Sequence, residues 1–259
     1  MNQPQLLSYD LDERVAAFSS TRQGGCSEGP YGQFNINHYC GDDEAHIAQN
    51  REALCRLLGI ADDRLVMPHQ THQTEVCRID EAFLQLAADE RQNRLEGIDA
   101  VMTDVRGVCI GVSTADCIPV LLYDPDHHAV CAVHAGWRGT VARIVRRAIS
   151  AMHNAYATRP TSLWAVVGPG ISLESFEVGQ EVYDAFAASG FYMPQISRRK
   201  EKWHIDLPEC NRQQLLAEGV EAGRIIMSGV CTYQQHHQFF SARRLGIRSG
   251  RIFTGIIQK

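Results

Sequence analysis

The chain alternates short apolar runs of strand length with longer stretches of helical period. Residues 108–112, 118–123 and 129–135 are apolar runs that predict strands. Asp124-Pro125-Asp126, between the last two, has the composition of a tight turn and predicts an antiparallel hairpin. From Thr140 the period lengthens. Val141, Ile144, Val145, Ala148, Ile149 and Met152 fall on one helical face, with Arg143, Arg146 and Arg147 outside it. Asp42 and Asp43 offer an N-cap for a helix running to about Leu58, where Gly59 stops it. Further helices are expected near 181–188 and 208–217, and strands at 163–167, 225–227 and 252–257. The Gly-rich stretch 23–32 follows the apolar run 15–18 and is expected to be a long ordered loop. Strands and helices alternate, yet the hairpin needs antiparallel neighbours. The predicted fold class is therefore α/β (mixed), with strands of both directions in the sheet.

Composition narrows the function classes. With 259 residues, 44% hydrophobic and 21% charged, the chain is of ordinary globular type. A net charge of −5 argues against nucleic acid as partner, because that footprint would be basic. The densest basic stretch, Ser197-Arg198-Arg199-Lys200, runs straight into Glu201 and has the look of a solvated loop. No window approaches the roughly 20 apolar residues of a membrane span. The first residues lack the basic start and apolar centre of a signal peptide, so a cytoplasmic location and nine reduced cysteines are expected. No Cys-x-x-Cys pair occurs.

The familiar nucleotide, zinc-protease and serine-hydrolase signatures are absent: no Walker loop, no Gly-x-Gly-x-x-Gly, no His-Glu-x-x-His, no Gly-x-Ser-x-Gly. Gly168-Pro169-Gly170 lacks nucleotide-motif spacing and is expected to be a strand-to-loop turn. Three polar insertions between apolar runs remain. They are 68–73 (Pro-His-Gln-Thr-His-Gln), 113–117 (Ser-Thr-Ala-Asp-Cys) and 133–139 (Val-His-Ala-Gly-Trp-Arg-Gly). Each alone has an ordinary explanation as a buried thiol or a satisfied core histidine. Together they hold two imidazoles and one thiol, His72, His134 and Cys117, the donor types that a metal site takes. His69 stands three residues from His72, so in a strand the two would face opposite ways, and it is expected to be a neighbour rather than a ligand.

Gln70-Thr71-His72, Ser113-Thr114-Ala115-Asp116-Cys117-Ile118-Pro119 and His134-Ala135-Gly136-Trp137-Arg138-Gly139-Thr140 resemble signature segments of the YfiH-like family, also called the laccase-domain or polyphenol-oxidase-like family. The likeness extends to Ser20-Thr21-Arg22-Gln23-Gly24-Gly25 with Asn35, to Gly168-Pro169-Gly170-Ile171, to Cys231-Thr232 and to the segment from Phe239 to Arg244. It departs at Thr71, where many relatives carry Val, and at Gln73, where they usually have Gly. The resemblance covers nearly the whole chain and implies one catalytic domain over 1–259, with a fold like that of the cytotoxic necrotizing factor deamidases. It implies His72, Cys117 and His134 as ligands of a catalytic zinc. It also implies phosphorolysis of purine nucleosides (adenosine, inosine, guanosine, methylthioadenosine) and deamination of adenosine, so a small nucleoside and phosphate are the expected partners. No oligomeric state follows.

Around those ligands, Asp116 is a candidate for proton transfer or for supporting the site from behind. Arg22 is a candidate phosphate clamp, because a guanidinium pairs with phosphate oxygens in two-pronged fashion. Arg138 and Arg243 are weaker candidates of the same kind, and Asn35 and Gln70 are candidate substrate contacts through the resemblance. Two rivals stay open. Two His and one Cys are also the equatorial set of a copper centre, which would make the chain a polyphenol oxidase. Alternatively, Cys117 is a nucleophile and His134 its base in a metal-free hydrolase. A non-enzymatic metal-binding module is the remaining possibility.

Overall fold

A computed structural model describes residues 3–259. In chain order, β1 (Leu6–Tyr9) and β2 (Val15–Ser20) are followed by α1 (Glu44–Leu58), β3 (Leu65–Val66), β4 (Glu75–Arg78), α2 (Glu81–Leu84) and α3 (Ala88–Leu95). The centre comprises β5 (Ile98–Thr103), β6 (Cys109–Thr114), β7 (Ile118–Asp124), β8 (Ala129–Ala135), α4 (Trp137–Val141) and α5 (Ile144–Tyr156). Then come β9 (Trp164–Val167), β10 (Glu177–Val178), α6 (Gln180–Ala188), α7 (Met193–Ile196), β11 (Ser197–Arg199) and β12 (Trp203–Ile205). The chain closes with α8 (Leu207–Ala217), β13 (Ile225–Met227), α9 (Ala242–Leu245) and β14 (Ile252–Gln258).

The strands make a six-stranded sheet, order β13-β9-β7-β8-β5-β4, a five-stranded sheet, order β1-β2-β14-β6-β3, and a small sheet β10-β12-β11. Both large sheets are mixed: β7 and β8 pair antiparallel, while β13–β9, β4–β5 and β3–β6 are parallel. The expected α/β fold with strands of both directions is therefore present.

Period-two alternation shows how the layers stack. On β7, Val120 and Leu122 face one core while Leu121 and Tyr123 face the other. On β8, Cys131 and Val133 point to the first core, Val130 and Ala132 to the second. The first core is filled by α5 and α8, with Ile144, Val145, Ala148, Ile149, Leu207 and Leu215. The second holds Val15, Ala17, Ile110, Val112 and Ile256 of the five-stranded sheet, so the two sheets pack face to face. The outer face of that sheet carries Phe18, Cys109 and Phe253 against Leu54 and Cys55 of α1. The order is helices, sheet, sheet, helix. Both central strands are covered on both faces, which is why they read as unbroken apolar runs. Each fully buried Val, Leu or Ile contributes about 1.5–3 kcal/mol.

The capping prediction for α1 holds: Asp43 accepts from the N–H groups of Ala45 and His46, and Gly59 adopts φ 70° at the C-cap. The helix expected from Thr140 is instead two. Arg143 takes φ 62°, its guanidinium donates to Ser189 O at 2.7 Å and lies over Phe191, and the regular helix begins at Ile144. No helix among the described residues is long and apolar enough to cross a membrane.

Candidate metal centre and substrate cleft

The chain passes several times between the two large sheets, and two of these crossings carry chemistry. Residues 67–74 lead from β3 in one sheet to β4 in the other, and residues 115–117 lead from β6 to β7. The first crossing carries His72, the second Cys117, and His134 lies near the end of β8 beside Pro119 of β7. The three ligand atoms of His72, Cys117 and His134 lie within 4.8 Å of one another, with Cys117 Sγ 3.7 Å from His72 Nε2. The imidazoles meet edge to face at 4.8 Å between centroids. Among the described residues this is the one cluster of three or more potential metal ligands.

A single carboxylate organises both histidines. Asp99 is completely buried on β5, and its Oδ1 lies 2.6 Å from His134 Nδ1. A carboxylate can only accept, so Nδ1 carries a proton and Nε2 is the nitrogen that faces the cluster, the one a metal would take on displacing any proton there. The same carboxylate accepts from three successive backbone N–H groups, Thr71 at 3.2 Å, His72 at 3.0 Å and Gln73 at 2.8 Å. Such a run of N–H groups converging on an anion is a nest, and it accounts for φ 64° at His72. The segment is therefore not a strand, so His69 and His72 are separated by a turn rather than by strand alternation.

Gly136 completes the cradle. A Cβ there would stand 2.9 Å from His72 Cδ2 and 3.1 Å from Cys117 Sγ. Gln70 locks the crossing to the neighbouring sheet, donating to Ser113 O at 2.8 Å and accepting from Ser113 N at 2.7 Å. Both ends of its amide are thus engaged with backbone, although Gln70 also lines the cleft.

Electrostatics match the donor set. Burial pushes the Cys117 thiol up, but His134 and then His72 outweigh it and bring it below its ordinary value. For His134, burial acts downward, yet the Cys117 charge and the Asp99 bond raise it. The thiolate is the metal-binding form. Ideal zinc distances of about 2.05 Å to nitrogen and 2.3 Å to sulfur at a tetrahedral angle place N and S about 3.6 Å apart. The 3.7 Å between Sγ and His72 Nε2 fits that geometry. His134 is buried, Cys117 half-buried and His72 exposed, so the cluster opens on one side. That side is a cleft of about 250 Å³ lined by Asn37, Tyr39, His69, Ile247 and Arg251, among others.

The other candidates go elsewhere. Asp116, at φ 90°, turns its carboxylate to Thr232 Oγ1 and the Arg243 N–H, both at 2.7 Å, pinning two distant segments beside Cys117. Arg22 does not line this cleft. Its Nε donates to Gly32 O and its Nη1 to His236 O, each at 2.8 Å, and its guanidinium lies over Phe240 beside a separate hollow. Asn35 is buried and bonds Asp42, Asn37 and the Arg251 N–H. Arg138 is exposed over Trp137, and Arg243 donates to Glu177 O. Arg251 lines the cleft instead. Gly168-Pro169-Gly170 does more than turn the chain: a Cβ at Gly170 would press on Ile118 and on the Asp116 and Cys117 carbonyls.

Residues 16–259 match the family described as multi-copper polyphenol oxidoreductase laccase. A purine nucleoside phosphorylase of Bacteroides thetaiotaomicron is 50% identical over 246 residues, covering 94% of this chain and 91% of that protein. An adenosine deaminase from an unknown prokaryotic organism is 45% identical over 250 residues, covering 95% of each. The crystal structure of the Bacillus licheniformis hypothetical protein YfiH superposes with a TM-score of 0.92 at 28% identity, covering 99% of this chain and 97% of that one.

Proposed function

This chain belongs to the laccase-like family and has relatives named for purine nucleoside phosphorolysis and adenosine deamination, and on that premise we propose that it is a zinc-dependent purine nucleoside phosphorylase with adenosine deaminase activity. The observation that carries this reading is the His72–Cys117–His134 cluster, oriented by Asp99 and open to the cleft. In this reading those three side chains hold the zinc and the open side admits the nucleoside. Bound there, zinc supplies Lewis acidity and lowers the pKa of water toward neutrality. Asp99 holds the Nδ1 proton of His134, so that Nε2 is the nitrogen offered to the metal, and fixes the turn that presents His72. Asn37 donates to Ser113 Oγ at 2.7 Å and accepts from the Tyr39 N–H at 2.6 Å, which sets the aromatic wall of the cleft. Arg251, with no carboxylate partner among the described residues, brings positive charge to the wall that phosphate would meet. The substrates are adenosine, inosine, guanosine and methylthioadenosine.

A copper oxidase has the family description in its favour, and the donor set accepts copper. Multicopper chemistry, however, takes several metal clusters, and the described residues hold one. The deciding experiment incubates pure protein with inosine and phosphate. Hypoxanthine and ribose 1-phosphate should form in equal amounts, and Cys117→Ser should lose zinc and activity together. Oxygen uptake on phenols without ribose 1-phosphate would favour the oxidase. A covalent adduct on Cys117 during turnover would favour the cysteine hydrolase.

A further inference from the structure

Departure of a purine from ribose leaves negative charge on the ring, and none of the three cluster side chains supplies a proton for it. Asp116 does not either, since both of its oxygens are taken by Thr232 and Arg243. His69 is built for that task. Its backbone forms a parallel bridge with Glu96: His69 N donates to Leu95 O and Gly97 N to His69 O, both at 3.0 Å. The bridge sets the two side chains next to each other, and His69 Nδ1 lies 2.8 Å from both carboxylate oxygens of Glu96. The carboxylate accepts, so Nδ1 donates, and Nε2 has no partner among the described residues. Tyr39 stacks on the imidazole at 3.9 Å and 17°, fixing the ring plane. His69 and Tyr39 line the same cleft as His72, Cys117 and His134.

We infer that His69, held by Glu96, is the general acid that protonates N7 of the purine as the base leaves. The inference rests on the phosphorylase reading. In the step, the C1′–N9 bond breaks and its electron pair enters the purine, while a phosphate oxygen bonds to C1′. The proton on His69 Nε2 moves to N7, so the base leaves neutral. The hydrogen phosphate loses its own proton as it becomes the ester, and that proton restores His69 through solvent. Nucleoside and hydrogen phosphate thus give base and ribose 1-phosphate with no net proton. Glu96 acts through His69, accepting from Nδ1 and so presenting Nε2 to the cleft; it is a positioning residue.

The test compares inosine with 7-methylinosine, whose base leaves neutral without a proton. His69→Gln should lower kcat for inosine by about a hundred- to a thousandfold, within the span of general acid catalysis. The same variant should change 7-methylinosine less than about threefold, with zinc retained. Glu96→Gln, at the surface, should show the same split at about tenfold, below the full range for removing the acid. Equal losses on both substrates, or no loss on either, would overturn the role of His69. Absence of ribose 1-phosphate from the unmodified protein with both substrates would refute the phosphorylase reading and the role of His69 with it. That result is distinct from a loss confined to the variants.

Discussion

Asp99→Asn isolates the group on which both histidines depend. The substitution keeps shape but replaces one accepting oxygen with an NH2. If the amide oxygen sits at Oδ1, the NH2 faces the Thr71 and Gln73 N–H groups; if at Oδ2, it faces His134 Nδ1 and the His72 N–H. Either way two bonds to a charged acceptor are lost, at about 1.5–3 kcal/mol each, hence about 3–6 kcal/mol. At roughly 2–4 °C per kcal/mol for a chain of this size, melting should fall by about 10 °C. Zinc affinity should fall about 10- to 100-fold, the usual consequence of removing a ligand's supporting partner. Differential scanning calorimetry and chelator competition read the two effects. The pH dependence has a definite sign. Burial pushes the Asp99 carboxyl up, but the His134 bond and the backbone N–H groups outweigh it and hold it below its ordinary value. Its stabilisation is therefore complete above about pH 4 and is lost as pH falls through the depressed folded-state value. The stability gap between wild type and variant should be largest near neutrality and close in strong acid. Zinc affinity within about twofold of wild type, with unchanged melting, would refute the nest-and-tautomer argument.

Gly136→Ala should leave the fold standing but release zinc, because the new Cβ displaces His72 and Cys117; elemental analysis checks this. Arg22→Ala should lower melting by several degrees and reduce phosphorolysis and deamination by one common factor, since the guanidinium serves two backbone carbonyls; a selective loss of phosphorolysis would restore it as a phosphate clamp. In metal-stripped protein, iodoacetamide should alkylate Cys117 faster at pH 7 than any other cysteine, because its thiol is lowered and half-exposed whereas Cys231, also lowered, is buried, and zinc should protect it; mass spectrometry of the labelled peptides reads both.

The central hairpin was legible because β7 and β8 are buried on both faces, so their apolar runs stand out, and Asp124-Pro125 marks the turn. The α1 boundaries were legible because Asp43 and Gly59 cap it through local bonds. The break at Arg143 was not, since its cause is Ser189 and Phe191, far along the chain. β5 gives only a weak strand signal because Asp99 interrupts its apolar run. That interruption was the one signal for the residue, and its partners lie 26 to 35 positions away. The cluster itself was visible as polar insertions between strands. Arg22 is a candidate by its guanidinium chemistry and Asn35 by the resemblance, and neither signal carries the loop bonds that they make. Glu96 and Arg251 carried no local pattern that would have singled them out.

The most direct test of the account is a zinc titration of stripped protein, following ribose 1-phosphate formed from inosine and phosphate. The account predicts that activity rises linearly and saturates at one zinc per chain, that copper does not substitute, and that Cys117→Ser stays inactive throughout. Full phosphorolysis before any zinc is added, or saturation only with several equivalents of copper, would contradict it.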